Sequence, residues 1–247
     1  MKRNCKFIIS YDGTRYYGWE HQPNTEMTIQ GKLENVFSKM LGHDVEIIGA
    51  GITDAGVHAK GMIANLFMDT DKSVEEIRDY ANHYLPDDIA IVDVSQAGDR
   101  FHSRYNALGK TYQYSCYYSE VKTIFDRKYV YSLPEKPDVD AMRKAASYLV
   151  GEHDFASFCA NPRMKKSTVR LVDLIDIKTD GPYIRLTFHG TGFLQHMVRI
   201  LTGTLLEVGY GKRSAESIPA LIEAKDRKQA GFTAPAQGLC MIKVDYH

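Results

Sequence analysis

The sequence predicts an α+β fold made of two similar split-βαβ halves, each with a largely antiparallel sheet and helices packed on one face. Three observations carry this. Apolar residues alternate at strand spacing in some segments and recur at helical spacing in others. These segments follow one another as β-α-β-β-α-β, and the rhythm then repeats. The 247 residues suffice for two small cores, and 44% apolar with 25% charged residues is ordinary for a globular protein.

Taken in order, Lys6 to Tyr11 (KFIISY) reads as a strand rich in Phe and Ile. A turn-prone stretch, Asp12 to Thr25, holds the only tryptophan. Ile29, Leu33, Val36, Phe37, Met40 and Leu41 mark an amphipathic helix over Thr28 to Leu41. Val45 to Ile48 and Gly61 to Met68 read as strands. Ser73 and Glu76 have the spacing of a capping box, opening a helix with Val74, Ile77, Ala81 and Tyr84 inward and Pro86 past its end. Ile89 to Val94 is a strand, and Lys110 to Tyr118 is an alternating, Tyr-rich one. The boundary between halves is placed near Ala107, giving domains of residues 1–107 and 108–247.

In the second half Lys128 to Tyr131 reads as a strand. Asp138 caps a helix running to Val150, with Gly151 as its stop. Val169 to Lys178 and Tyr183 to Phe188 form a strand pair turned at Asp180-Gly181-Pro182. Phe193, Met197, Ile200, Leu201, Thr204, Leu205 and Val208 mark a long helix ending near Gly209. Ser214 to Ala224 is one more helix and Leu239 to Val244 a last strand.

Composition excludes some classes. No apolar run approaches the roughly 18 residues of a membrane span. The start, Met1-Lys2-Arg3-Asn4-Cys5, lacks the apolar core of a secretory signal. Cys5, Cys116, Cys159 and Cys240 are far apart without a CxxC pair, so neither a disulfide frame nor a zinc site is expected. A reduced cytoplasm is the default setting. Net charge is zero, yet a cut after Ala107 leaves 11 basic and 16 acidic residues before it and 20 and 15 after it. A phosphate backbone could use that asymmetry, or it is a chance split of surface charge.

The most unusual stretch is Gly49 to Ala59 (GAGITDAGVHA). Its three glycines interrupt regular structure and admit close backbone approach, around a single acid, Asp54. It is no dinucleotide fingerprint, since GxGxxG would need glycine where Asp54 stands. A structural turn with Asp54 bonded to its own loop is the plain alternative. His58 has no second metal ligand four residues on and reads equally as a satisfied loop histidine. Asn161 to Arg170 (NPRMKKSTVR) holds four basic residues and no acid, a phosphate-contacting loop or a merely solvated one. Of the sixteen tyrosines, those at alternating positions suit strands and some could stack bases.

The Gly49 to Ala59 stretch resembles the GRTDAGVHA signature of the TruA family of pseudouridine synthases. The likeness continues along the chain in family order. Tyr11-Asp12-Gly13-Thr14 through Gly18-Trp19 resembles YDGT with GW. Leu85 to Ile89 resembles LPxDI. Phe101 to Arg104 with Lys110 to Tyr114 resembles FHAR and the tyrosine strand behind it. Gly151 to Phe158 resembles GEHDFxSF. Phe193 to Arg199 resembles the block ending MVR, and Thr233 to Leu239 resembles TAPAxGL.

The resemblance implies a pseudouridine synthase fold of two RRM-like halves with the active-site cleft between them. It implies an enzyme that isomerises uridine to pseudouridine in the anticodon arm of tRNA, at positions 38 to 40. It also implies a homodimer, with no cofactor or metal. Asp54 matches the essential aspartate, Arg199 the arginine that pairs with it, and Tyr112 the aromatic that stacks on the target uracil. Leu239 matches the apolar residue against the base. The matching blocks also put Ile52, Thr53, His58 and Arg104 at the substrate. Each has a bland counterpart: Arg199 a surface helix residue, Tyr112 a strand tyrosine, Leu239 core. Where the family has the arginine that handles the flipped-out nucleotide, this chain has Ile52, between an intact Gly51 and Thr53. Two other readings stay open, a relative acting on another RNA or an unpaired uridine, and an RNA-binding protein that has lost catalysis.

Overall fold

The structure is a computed structural model that describes residues 2–247. Its elements are β1 (Lys2–Tyr11), α1 (Ile29–Leu41), β2 (Ile48–Gly49), β3 (His58–Asp69), α2 (Val74–Tyr84), β4 (Ile89–Ala97), β5 (Gly109–Tyr117), β6 (Tyr131–Ser132), α3 (Val139–Leu149), β7 (Gly151–Asp154), β8 (Val169–Asp180), β9 (Tyr183–Gly190), α4 (Met197–Gly209), α5 (Ile218–Ala224) and β10 (Leu239–Asp245). They form two compact units, Met1–Leu108 with Cys240–His247, and Gly109–Leu239. The sequence reading kept residues 108–247 together, whereas the last strand packs with the first unit. Cys240 and Met241 pair in parallel with His58 and Ala59. Gly61 makes that approach possible, because a Cβ there would lie 2.4 Å from the Ile242 carbonyl oxygen.

The first unit follows β-α-β-β-α-β, with sheet order β4-β1-β3-β10 and β2 on β3. β1 runs antiparallel to both β3 and β4. The strand expected at Lys6 to Tyr11 is present and begins earlier, at Lys2, and Cys5, Phe7, Ile9 and Tyr11 share one buried face. Thr28 caps α1 by accepting from the Gly31 N–H at 3.1 Å, and Gly42 ends it at φ 78°. Ser73 and Glu76 form the capping box of α2.

The second unit has sheet order β5-β9-β8-β7, all antiparallel, with β6 parallel to β5. Asp138 caps α3 by accepting from the Ala141 N–H at 3.1 Å. α4 is the central helix, with Met197, Val198, Ile200, Leu201, Leu205, Leu206 and Val208 all buried. The β8–β9 turn falls at Gly181, φ 57°.

Several expectations differ from the structure. The short strand expected at Val45 to Ile48 lies at Ile48–Gly49 instead. Side chains of α1 take the backbone groups of Ile47: its N–H donates to the Glu34 carboxylate and its carbonyl accepts from Gln30 Nε2. Lys128 to Val130 sit in a turn closed by the Tyr129 N–H on the Asp126 carbonyl, so the strand there is only Tyr131–Ser132. Tyr84, expected inward, is 60% exposed at the last turn of α2, where its ring meets those of Tyr80 and His83. The helix expected from Phe193 starts at Met197, because His196 turns left-handed at φ 59°. The segment from Ser214 divides into a short 3-10 turn and α5. β7 had no periodicity long enough to reveal it.

Candidate active site

Asp54 lies in the loop joining β2 to β3, and its backbone is held from several sides. The Asp54 carbonyl accepts from the Val57 N–H at 3.1 Å, the Gly56 N–H donates to the Tyr16 carbonyl at 3.2 Å, and the Ala50 N–H donates to Ile63. Beneath the loop lies Trp19, fully buried, whose N–H donates to the Thr53 carbonyl at 3.1 Å. The indole lies so close to Gly49 that a Cβ there would be 2.6 Å from its ring. Gly18, at φ 91°, permits an equally close pass, since a Cβ on it would be 2.6 Å from the Thr53 oxygen. The segment after β1 is thus a cradle for the loop. A partly buried Asp54 on a fixed backbone results.

Thr53 and His58 are 4% and 6% exposed. Thr53 Oγ1 and the Tyr11 hydroxyl share a hydrogen bond at 2.7 Å. His58 Nδ1 accepts from the Gly13 N–H at 2.9 Å. Asp12 Oδ1 lies 3.3 Å from the same nitrogen, but a nitrogen that accepts from Gly13 carries no proton to donate there, so this is proximity rather than an ion pair. That oxygen accepts from the Thr14 N–H and hydroxyl. Ile52, by contrast, is 48% exposed.

The cradle is clamped at its far side. Asp88 accepts from Arg15 Nε at 2.8 Å and from the Tyr16 hydroxyl at 2.6 Å, and its carbonyl accepts from the Asp12 N–H. Burial works to raise the Asp88 carboxyl, but the bonds from Arg15 and Tyr16 outweigh it and hold the group below the usual carboxylate range. Burial and the Asp88 charge push the Tyr16 phenol up.

Arg104 is exposed on a separate turn of the same unit. Its N–H and that of Tyr105 both donate to His102 Nδ1. A buried polar chain fixes this turn. Asn4 Nδ2 donates to the Gly98 and Phe101 carbonyls, Asn65 Nδ2 to Asn4, the Ser103 N–H to Asn65, and the Ser103 hydroxyl to the Ile48 carbonyl. Ile48 leads into the Asp54 loop, so one network positions both.

In the second unit Tyr112 is buried on β5, its ring edge-on to Phe193 at 5.3 Å. Arg199 enters in the first turn of α4. Its Nε donates to the Ala234 carbonyl at 2.8 Å, and the Ala234 N–H donates back to the Arg199 carbonyl. The segment from Gly231 to Ala234 lies along α4 because Gly203 lets it: a Cβ there would sit 1.7 Å from the Phe232 oxygen. Leu239 is buried, beside Gly238, which packs on the Tyr114 ring. Burial pushes the Cys240 thiol up to about 11 and the Cys116 thiol higher still, so neither offers a thiolate near neutrality. Among the described residues no group of three or more His, Cys, Asp or Glu is placed to hold a metal ion, and no helix is long and apolar enough to cross a membrane.

The structure therefore places Ile52, Thr53 and Asp54 on one loop with His58 opening β3 directly after it, sets Arg104 on a turn sharing its support, and places Tyr112, Arg199 and Leu239 in the second unit. Sequence reasoning did not single out Tyr11, Gly13, Trp19, Asn4, Asn65, Phe193 or Ala234. Tyr11, Gly13, Trp19, Phe193 and Ala234 fall within matching blocks without a role attached, and Asn4 and Asn65 lie in none.

The family model described as tRNA pseudouridine synthase matches residues 7–106 and 145–247. A tRNA pseudouridine synthase A of Bacillus sp. (strain KSM-64) is 45% identical over 243 residues, 98% of this chain and 99% of that protein. A tRNA pseudouridine synthase A 2 of Bacillus cereus (strain ZK / E33L) is 44% identical, with 98% and 99% covered. A tRNA pseudouridine synthase A of Geobacter sp. (strain M21) is 44% identical over 99% of each chain. A solved Cbf5-Nop10-Gar1 complex includes a chain that aligns at TM-score 0.41 and 11% identity, over 96% of this chain and 49% of that one, below the level that supports an argument from structure.

Proposed function

Since this chain belongs to the tRNA pseudouridine synthase family, we propose that it isomerises uridine to pseudouridine in the anticodon stem-loop of tRNA, at positions 38, 39 or 40, with Asp54 as the catalytic carboxylate. The observation that carries this is the Asp54 loop itself. Buried Thr53, His58 and Trp19 hold the loop while the acid stays partly accessible. That is how a scaffold presents a charge to a ligand.

The reaction breaks the N1–C1′ bond, turns the uracil and forms a C5–C1′ bond. C5 loses a proton and N1 gains one, so composition is unchanged. An ionised carboxylate beside the ribose can stabilise or trap the electron-poor C1′, or remove the C2′ proton. Arg199, aimed by Ala234, supplies a fork that favours the charged carboxylate and fixes its orientation. Tyr112 stacks on the base, and its hydroxyl assists loss of the C5 proton. Leu239 packs against the base. Thr53 and His58 act as supports rather than contacts, and Arg104 meets phosphate. That residues of both units act on one nucleotide is part of this proposal. So are a homodimeric state and a cytoplasmic setting.

Ile52 favours a second reading, a relative acting on another RNA or on unpaired uridines. A paired uridine must be flipped out at a cost of about a few kcal/mol, and the exposed isoleucine offers no charge to hold the opened state. A binder without catalysis is disfavoured, since it would have no use for Asp54, Tyr112 and Arg199 together. The test is to map pseudouridine in total tRNA from cells with and without the gene. Loss at positions 38 to 40 supports the first reading, loss only at other sites the second, and no loss contradicts both.

A further inference from the structure

The loop between β7 and β8 is a strongly basic feature that the proposed site leaves unused. Residues 161–170 carry Arg163, Lys165, Lys166 and Arg170 and no acid. Arg163, Lys165 and Lys166 are exposed, and among the described residues no ion pair engages them. Arg170 folds back on its own loop, donating to the carbonyls of Ser167 and Val169.

The loop is built, not loose. Asn161 Oδ1 accepts from the Arg163 N–H at 3.0 Å, which fixes the first turn. At the far end the Thr168 hydroxyl donates to Asp154 at 2.6 Å and the Phe155 N–H donates to the Thr168 carbonyl. At the near end the Ala160 N–H donates to the Gln195 carbonyl at 3.0 Å. Gln195 belongs to the short connection whose Phe193 faces Tyr112 and whose His196 turns into α4, three residues before Arg199. Of the acids nearby, Asp154 is engaged with Thr168, the Ala156 N–H and Lys225, and Asp173 with His189, while Glu152 on β7 is exposed. Three cations that no ion pair engages among the described residues thus stand on a loop hung from the segment that packs on Tyr112 and leads into Arg199.

We propose that Arg163, Lys165 and Lys166 form a phosphate-binding loop that grips the RNA backbone beside the target nucleotide. The proposal rests on the tRNA reading and adds a binding site to it. Such contacts position the nucleic acid without reading its sequence. Each neutralised phosphate releases counterions, so binding weakens with salt at a slope of about 0.7–0.9 per contact. Binding energy held by this loop acts on capture of the RNA, so its loss raises KM and leaves kcat near the native value.

The test is binding of an unmodified tRNA transcript by fluorescence anisotropy across salt, for the full-length native protein and the R163A/K165A/K166A variant. Removing three contacts lowers the salt slope by about 2, weakens binding at least tenfold at moderate salt, and raises KM without lowering kcat. The R163K/K165R/K166R set, which keeps the charges, stays near native. The K39A/K122A/K136A variant removes the same net charge from exposed lysines elsewhere and shifts the slope less. A loop variant with native slope and affinity, or one no weaker than that control, overturns the proposal. A native protein that neither binds nor isomerises any tRNA sinks the functional reading and the loop with it. A native protein that does both while the loop variant matches it sinks the loop alone.

Discussion

Ile52 and Thr53 are chain neighbours with opposite surroundings. Thr53 is buried with its hydroxyl on Tyr11, while Ile52 faces outward at 48% exposure. An apolar side chain where a polar contact would hold an opened stem forfeits about 1–3 kcal/mol, by analogy with good base contacts. That is roughly tenfold to a hundredfold in the flipping equilibrium. Isoleucine can also wedge between bases, which returns part of the loss. The native protein is therefore expected to prefer unpaired or weakly paired uridines, and Ile52→Arg to gain on paired ones. Single-turnover isomerisation of matched RNAs, with the target uridine paired or unpaired, measures this. Equal native rates on both, or an arginine variant slower on the paired target, would show that position 52 does not govern flipping. The glycines and the lone acid drew attention to this loop from sequence. The burial of Thr53 and His58 did not show there, because both are polar and their partners, Tyr11 and Gly13, lie more than forty residues earlier.

At the scale of elements, the strand and helix pattern was legible wherever one face is core. β1, α1, α2, α3, β8 and β9 lie close to their expected places because apolar spacing and caps agree. Misplacements came where a long-range side chain displaced a local rule, as when Glu34 and Gln30 took the backbone of Ile47. The cradle from Asp12 to Trp19 read only as a turn-prone stretch, since its order comes from the loop it holds and from Asp88. That clamp has a pH consequence. The Asp88 carboxyl is lowered in the folded state, so its contribution is complete above the unfolded value near 3.9 and is lost as pH falls through the lower folded value. Asp88→Asn is expected to lower Tm by roughly 2–4 °C near neutrality, a modest loss for a chain of this size. The gap to the native protein should close in acid. Thermal unfolding of both proteins from neutral pH down to about pH 3 checks it. A gap that persists unchanged at the acid end would mean that the carboxylate charge is not what holds the cradle.

For the whole molecule, the family and its α+β character were readable because matching blocks run along nearly the entire chain, and the family match over residues 7–106 and 145–247 agrees. The return of the last strand to the first unit was not readable. Leu239 to Val244 carries strand spacing, but only Gly61, by admitting the Ile242 backbone, says where that strand pairs. The proposed catalysis depends most on Asp54, and the direct measurement is isomerisation of a tRNA transcript by the native protein and by Asp54→Asn, with RNA affinity measured alongside. The amide keeps the shape and removes the charge the sugar chemistry uses, while affinity rests mainly on phosphate contacts. The expected result is loss of all detectable pseudouridine with tRNA binding within a few-fold of native. Undiminished turnover by Asp54→Asn would contradict the account.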